Sequence, residues 1–420
     1  MNRAALVWVI LGLACVMPVW AADAPPSDRP QNVVLMGWDG CHRDHVKALL
    51  KEDKLPNLKK LIAEGTLVDI DVTTGATDTK AGWTQILTGY KPEVTGVFSN
   101  GRFRDVPAGY SIFERLKKEF GADKFAALAV IGKKQHCGEI DPPYKVPYDP
   151  ANEAAASAPA AKAAAKAAAK AAAKAAAKAA TKAPTKQPGA GQPNKGRVVE
   201  ENGQQFLVFD GSPYFTMHKA CDEWCFGLMQ DVKVGNKALE LLDTYKDKPF
   251  FFFVHLAEVD HQGHKFGEPS QEYNDAIISG DTQLGRLVEK LKALGLYDKT
   301  RIYVTADHGF NIGAMGHSYA PYVFLATNDK KVMRDGTRAD IAPTIMDRFG
   351  LDLSKIDPKL DGEPLTRAAT RPVGKAPPTK AAQPAKAAAK RAKAGQSAGP
   401  TAPQPAQPAV PQPAAVPAAA

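Results

Sequence analysis

Asp307 and His308 stand side by side in the stretch RIYVTADHGF, residues 301–310. The run before them, Arg301–Thr305, is β-branched, aromatic or long and has the composition of a short buried strand. A carboxylate beside an imidazole at the C-terminal end of such a strand suits metal ligation, because ligands in open α/β sheets collect at that end. The same triplet, closed by Gly309, also reads as a helix cap followed by a turn. Other strand ends carry matching groups. Asn32–Met36 (NVVLM) runs into Gly37-Trp38-Asp39-Gly40, which makes Asp39 either a ligand or half of an Asp-Gly turn. Phe250–Val254 (FFFFV) runs on to Asp260-His261-Gln262-Gly263-His264. Asp260 and His264 are four apart, so one helical turn or a tight loop aims both at a single ion, unless they are a surface pair. His317 follows on the loop after His308.

A hydroxyl joins these groups. Thr79 lies at a loop-to-helix transition in Thr77–Trp83, where it is a helix N-cap or a nucleophile. A helix N-terminus offers unpaired amides and a positive dipole end, which suit an incoming anion and a developing alkoxide. Asn100 closes the turn-rich loop 89–100 and is either a donor to a substrate oxygen or an ordinary loop residue. Lys133, Lys134 and His136 follow the strand pattern Ala126–Ile131 and read as an oxyanion site or as a solvated basic loop. Taken together, Asp39, Thr79, Asp260, His264, Asp307, His308 and His317 are three aspartates, three histidines and one hydroxyl, with no thiolate. That donor set suits borderline divalent ions such as zinc, and its size suits two of them.

The elements that must position these groups alternate. Strand patterns at 32–36, 66–72, 126–131, 205–209, 250–254, 301–305 and 321–327 are interleaved with helix patterns at 45–51, 58–64, 231–245, 271–294 and 339–349. That order predicts an α/β fold. Residues 1–22 read as a secretory signal, with Arg3 before an apolar core and small residues at Ala21-Ala22, so a periplasmic or secreted protein is expected. Four cysteines then remain, Cys41, Cys137, Cys221 and Cys225, an even number that permits two disulfides without fixing their pairing.

The net charge of +9 belongs to low-complexity segments. Residues 151–200 carry nine Lys/Arg against two Glu, and the tail from Arg367 carries eight Lys/Arg and no acid. The rest of the chain is mildly acidic, so no folded basic face for nucleic acid is expected. Residues 151–196 form an Ala/Lys-rich insert, with lysine at every fourth position from 162 to 182. Alanine favours helix, but the insert has no apolar face to dock on a core. Residues 367–420 are an Ala/Pro/Lys-rich tail, disordered by composition. One catalytic domain, 27–150 plus 197–366, is left.

At these motifs the chain resembles the alkaline-phosphatase superfamily, especially its nucleotide pyrophosphatase/phosphodiesterase and threonine-nucleophile phosphatase branches. The resemblance covers roughly 32–100 and 250–351 and rests on six features. These are the strand ending in Asp39, Thr79 ten residues before Gly89, Asn100 after GVFS, Asp260-x-x-Gly263-His264, Asp307-His308-Gly309 with His317, and Asp340–Thr344. It implies a three-layer α/β/α fold with a mostly parallel sheet. It also implies that Asp260, His264 and His317 hold one zinc ion, and that Asp39, Asp307 and His308 hold the other together with the Thr79 oxygen. Asn100 and the Thr79 amide would bind a nonbridging substrate oxygen. The implied chemistry is hydrolysis of a small phosphate ester, diester or monoester, through a covalent phosphothreonine.

Gly132-Lys133-Lys134-Gln135-His136 resembles a stretched form of the sulfatase oxyanion motif, which keeps a sulfatase-like alternative open. Threonine cannot give the formylglycine aldehyde that sulfatases use. Lys133, Lys134 or Arg102 could supply the extra cation that monoesterases use for a dianion. Two further alternatives are a phosphoglycerate-mutase-like isomerase on the same fold, and a cell-surface protein whose Lys-rich segments contact anionic polymers.

Overall fold

The computed structural model describes residues 29–73, 75–148, 196–320 and 322–370. The signal segment 1–22, the insert 151–196 apart from Gly196, and the tail beyond Thr370 lie outside the described residues. Eleven strands are present among the described residues. They are β1 (Asn32–Trp38), β2 (Thr66–Asp71), β3 (Ala126–Ile131), β4 (Tyr144–Pro147), β5 (Arg197–Glu201), β6 (Gln204–Phe209), β7 (Glu223–Phe226), β8 (Phe250–Leu256), β9 (Thr300–Thr305), β10 (Tyr322–Thr327) and β11 (Gly336–Thr337).

Eight strands form one sheet in the order β11-β2-β10-β9-β1-β8-β3-β7. Every pairing is parallel except the two made by β10, with β2 and with β9. The central strands β1 and β8 are buried along their whole length. This is why they read as continuous apolar runs rather than alternating ones. Each phenylalanine of Phe250–Phe253 is fully buried, and each such burial contributes on the order of 2 kcal/mol. Ionisable groups at that depth are confined to the strand ends, where turns bring partners to them.

Gly37 and Trp38 are neighbours on β1 and point to opposite faces. A Cβ on Gly37 would fall 2.2 Å from the Trp83 indole, so the helix Thr79–Thr88 packs directly on that face. Trp38 lies against Gly280 of the helix Gln271–Ala293 on the other face. The sheet is therefore sandwiched between helices, and the fold is the mostly parallel α/β/α type expected. The carboxyl ends of β1, β3, β8 and β9 share one edge, since β1 registers with β8 and β9 and β8 registers with β3 in parallel.

Four features differ from the expectations. The stretch 89–100, read as loop, contains a short helix at Pro92–Thr95. A second helix, Ile112–Phe120, begins at a Ser111/Glu114 capping box. A small antiparallel sheet, β4-β6-β5, stands beside the main one, where only 205–209 reads as a strand. The four described cysteines are free thiols, so the two permitted disulfides are not formed. Cys41 and Cys137 are packed into the core, and the Cys221 thiol donates to the Met217 carbonyl at 3.7 Å.

Candidate active site

Asp39 follows β1, Asp307 follows β9, and Asp260 lies in the first turn of the helix Glu258–Phe266 that follows β8. Two sets of donors converge there. One oxygen or nitrogen from each of Asp39, Asp307 and His308 lie within 4.8 Å of one another. So do single donors from Asp260, His264 and His317. Asp260 is buried although His264 is exposed, so the two are no simple surface pair.

The histidines are oriented by their second nitrogens. His264 Nδ1 lies 2.9 Å from the Met315 carbonyl and His308 Nδ1 lies 3.1 Å from the Gly309 carbonyl. A carbonyl only accepts, so each Nδ1 carries a hydrogen, and in the neutral imidazole Nε2 then presents a lone pair. His308 Nε2 faces Thr79 Oγ1 at 3.4 Å, and His264 Nε2 lies 3.2 Å from His317 Nε2. The His308 and His317 rings stack with centroids 3.9 Å apart. Burial and the neighbouring His317 push the His308 pKa down to about 3, so its imidazole is neutral.

Thr79 is the first residue inside its helix, and the N-cap is Asp78. Its hydroxyl is thus not spent on capping. Lys133, expected as an oxyanion donor or as part of a solvated loop, is buried and reaches into the centre. Its Nζ donates to Thr79 Oγ1 at 2.9 Å and lies 2.8 Å from both Asp39 Oδ1 and Asp260 Oδ2. It thereby joins the hydroxyl to one carboxylate of each donor set. Burial opposes its charge, but Asp260 and Asp39 outweigh burial and hold it protonated. In return, burial would raise Asp39 and Asp260, yet the Lys133 ammonium keeps both well below the usual carboxylate range. Asp307 goes the other way, raised by burial and by the Asp39 charge.

Asn100 Oδ1 accepts from the Lys80 backbone N–H at 2.9 Å, and the Asn100 N–H donates to Asp78 at 2.7 Å. With its oxygen occupied, the side chain keeps its NH₂ as the group to offer a ligand beside Thr79. His136 is not at the centre. Its Nδ1 lies 3.4 Å from Lys80 Nζ, which also pairs with Glu139 at 2.5 Å, so His136 belongs to a charged cluster one residue from Thr79. Lys134 is exposed, and Arg102 stacks on Phe98.

Whether two cations fit can be tested on the carboxylates themselves. Asp260 Oδ1 and Asp307 Oδ2 are buried oxygens without a hydrogen-bond partner among the described residues, and Asp39 Oδ1 is paired with the Lys133 ammonium at 2.8 Å. Asp307 Oδ1 accepts from the Gly40 N–H at 3.2 Å, Asp260 Oδ2 faces Lys133, and Asp39 Oδ2 accepts from Trp83 and His255. Buried carboxylate oxygens in this number are costly unless a cation is there to take them. Three aspartates against one ammonium, with imidazole nitrogens aimed inward, fit a pair of divalent ions.

Three supporting residues were not apparent from the sequence. His255 and Trp83 hold Asp39. Arg338 is fully buried, and its guanidinium donates to the carbonyls of Val72, Ala76 and Asp307 at 2.9–3.0 Å. It ties the loop before Thr79 to the Asp307 loop without a carboxylate partner among the described residues. A lone histidine in an apolar strand and a tryptophan one helical turn after Thr79 were the available signals for the first two. Nothing in the sequence around Arg338 separates it from a surface arginine.

The helix carrying Asp260 and His264 is anchored by Asp231, whose Oδ1 accepts from Ala257 N–H at 2.8 Å and Glu258 N–H at 3.2 Å. Burial, then the Glu258 charge, raise the Asp231 pKa from 3.8 to about 7. The folded state therefore binds this proton more tightly than the unfolded chain. Its contribution to stability is complete below 3.8 and is lost as pH rises to about 7. Asp231→Asn keeps an acceptor for both amides and removes the titration. Its melting temperature should vary less than the wild type's between pH 4 and 8 and should exceed it at pH 8; parallel melting curves would show that Asp231 does not titrate in this range.

A family model described as Type I phosphodiesterase / nucleotide pyrophosphatase matches residues 33–361. A 2,3-bisphosphoglycerate-independent phosphoglycerate mutase of Malacoplasma penetrans is 29% identical over 137 residues, 30% of this chain and 25% of that protein. Ectonucleotide pyrophosphatase/phosphodiesterase family member 1 of Homo sapiens is 33% identical over 88 residues, 21% of this chain and 9% of that protein. The matched stretches are thus a quarter or less of these relatives' lengths. Among solved structures, a protein of the alkaline phosphatase superfamily from Vibrio parahaemolyticus superposes with a TM-score of 0.48 at 16% identity, covering 82% of this chain and 71% of that one.

Proposed function

Because this chain belongs to the type I phosphodiesterase / nucleotide pyrophosphatase family over residues 33–361, we propose that it is a two-metal phosphoric ester hydrolase with Thr79 as nucleophile. The observation that carries this reading is the position of Thr79 Oγ1, 3.4 Å from His308 Nε2 and 2.9 Å from Lys133 Nζ, between two Asp/His donor sets. Asp39, Asp307 and His308 would hold one zinc ion, and Asp260, His264 and His317 the other. When bound, such ions supply Lewis acidity that favours a threonine alkoxide and a departing alkoxide at neutral pH.

The chain's own residues do the rest. Lys133 donates a hydrogen bond to Thr79 Oγ1, which lowers the cost of its alkoxide. Thr79 gives up its hydroxyl proton to solvent, its Oγ1 attacks phosphorus in line, and the ester oxygen leaves with the bonding pair and takes a proton from water. Asn100 and the amides at the helix N-terminus stabilise charge on the nonbridging oxygens. Water then attacks the phosphothreonine, which returns the Thr79 hydroxyl and releases phosphate or a monoester. Export by the 1–22 signal, and contact of the Lys-rich segments with anionic surface polymers, belong to the same proposal.

The test is metal analysis of the purified protein beside a panel of aryl phosphate diesters, monoesters and sulfates. Turnover of phosphate esters that a chelator abolishes and zinc restores is expected; a protein that cleaves none of the phosphates refutes the reading. Lys133 favours monoesters as a second substrate class, since its ammonium is an extra buried cation for a dianion. Lys133→Ala should then reduce monoester turnover on the order of 100-fold and diester turnover clearly less. Equal losses on the two would remove Lys133 from substrate discrimination.

A further inference from the structure

Asp39 is held by two donors that the hydrolytic scheme does not use. His255 Nε2 lies 2.8 Å and Trp83 Nε1 3.1 Å from the same oxygen, Asp39 Oδ2. All three side chains are fully buried. His255 lies on β8 in register with Gly37 of β1, two residues before Asp39. Trp83 comes from the opposite layer, and its indole fills the space that any side chain at Gly37 would need. The Trp83 and His255 rings meet edge to face at 5.1 Å, and each also packs on Phe253. Neither donor can swing away without opening the core.

The arrangement leaves one assignment of atoms. Asp39 is ionised beside Lys133, so it only accepts, and the His255 hydrogen is on Nε2. The other nitrogen, Nδ1, is buried with no hydrogen-bond partner. A histidine present only to fill the core would leave that nitrogen unsatisfied for no return, and an apolar side chain of similar volume would serve better. The single side-chain hydrogen bond that His255 makes among the described residues goes to a candidate ligand. With Oδ2 taken twice, Oδ1 of Asp39 is the oxygen turned to the other donors, 2.8 Å from Lys133 Nζ and 3.8 Å from His308 Nε2.

We propose that His255 is a positioning residue for metal binding. Together with Trp83, it locks the Asp39 carboxylate so that Oδ1, the oxygen beside Lys133, is the one turned to the ion shared with Asp307 and His308. This rests on the two-metal reading above. The ion held by Asp260, His264 and His317 receives no support from His255, so the effect of losing it is confined to one of two sites. Trp83 also gives the nucleophile helix a fixed height over Asp39, because it sits one turn beyond Thr79.

The experiment is a titration of the zinc-loaded full-length protein with a chromophoric chelator, which resolves release of two ions. His255→Leu should weaken one release step by about 10- to 100-fold and leave the other at its wild-type position. His255→Gln, which still offers a donor, should recover most of the loss. Trp83→Phe, which keeps the ring and loses the N–H, should weaken the same step. Melting in excess chelator checks the fold of each variant. If His255→Leu melts lower in chelator but shifts both release steps equally, or shifts neither, the positioning role is overturned. A wild-type protein that binds no zinc would instead refute the two-metal reading itself.

Discussion

Replacing Thr79 by alanine is expected to cut turnover of every phosphate ester by about 10⁴-fold or more, while zinc content stays near the wild-type value. The reasoning starts from what the hydroxyl touches. Thr79 Oγ1 lies 2.9 Å from Lys133 and 3.4 Å from His308, and both keep other partners when it is gone. Lys133 retains Asp39 and Asp260 at 2.8 Å, and His308 retains its bond to Gly309. The three aspartates and three histidines are untouched, so the ions lose at most one oxygen ligand. The helix also survives, because the Thr79 hydroxyl makes no capping bond and alanine is favourable within a helix. What disappears is the oxygen proposed to form the covalent intermediate. Thr79→Ser should retain measurable activity, since it keeps the oxygen and loses one methyl group. Rapid-quench trapping separates the cases: wild type should form an acid-stable phosphoprotein and Thr79→Ala should form none. Wild-type rates in Thr79→Ala would remove Thr79 from the mechanism.

The parts of this protein that could be read from sequence are those in which one side chain announces one role. The central strands are buried on both faces, so NVVLM and FFFFV show as unbroken apolar runs, and their ends point to Asp39 and the 260–264 cluster. The helix 231–245 is read to its last residue because its amphipathic pattern is uninterrupted. The candidate donors Asp39, Asp260, His264, Asp307, His308 and His317, which the structure brings into two groups, stand out because few other uses bring aspartate and histidine together at strand ends. What was overlooked is of two kinds. Some signals were present, such as Ser111-x-x-Glu114 before the helix 112–120 and Asn202-Gly203 in the β5–β6 turn, where both residues have positive φ. Other features exist only in three dimensions. That Lys133 passes between two donor sets, that Trp83 occupies the space above Gly37, and that Arg338 joins Val72, Ala76 and Asp307 depend on chain crossings 31 to 266 residues apart. Local pattern carries no information on those.

Asp307→Asn is the second substitution with a large expected effect, and it separates charge from shape. Asp307 Oδ1 accepts from Gly40 N–H, and its backbone carbonyl accepts from Arg338. An asparagine can keep both bonds, with its oxygen toward Gly40. Its NH₂ then occupies the position of Oδ2, the buried oxygen with no partner. A donor replaces a lone pair there, and the site shared with Asp39 and His308 loses a ligand and a negative charge. The metal-free fold should not suffer, because burial and the Asp39 charge already hold the Asp307 carboxyl well above its usual range. Removing a group that resists ionisation leaves stability in chelator unchanged or higher at neutral pH. The effect should appear only on adding zinc. A bound ion stabilises the folded state in proportion to the logarithm of its concentration over its dissociation constant. The zinc-dependent rise in melting temperature should therefore shrink in Asp307→Asn, zinc content should fall toward one ion per chain, and turnover should drop on the order of 10³-fold. Two zinc ions bound at wild-type affinity in Asp307→Asn would show that this carboxylate is not a ligand. A variant that melts lower than wild type in chelator would instead assign it a structural role between β1 and β9.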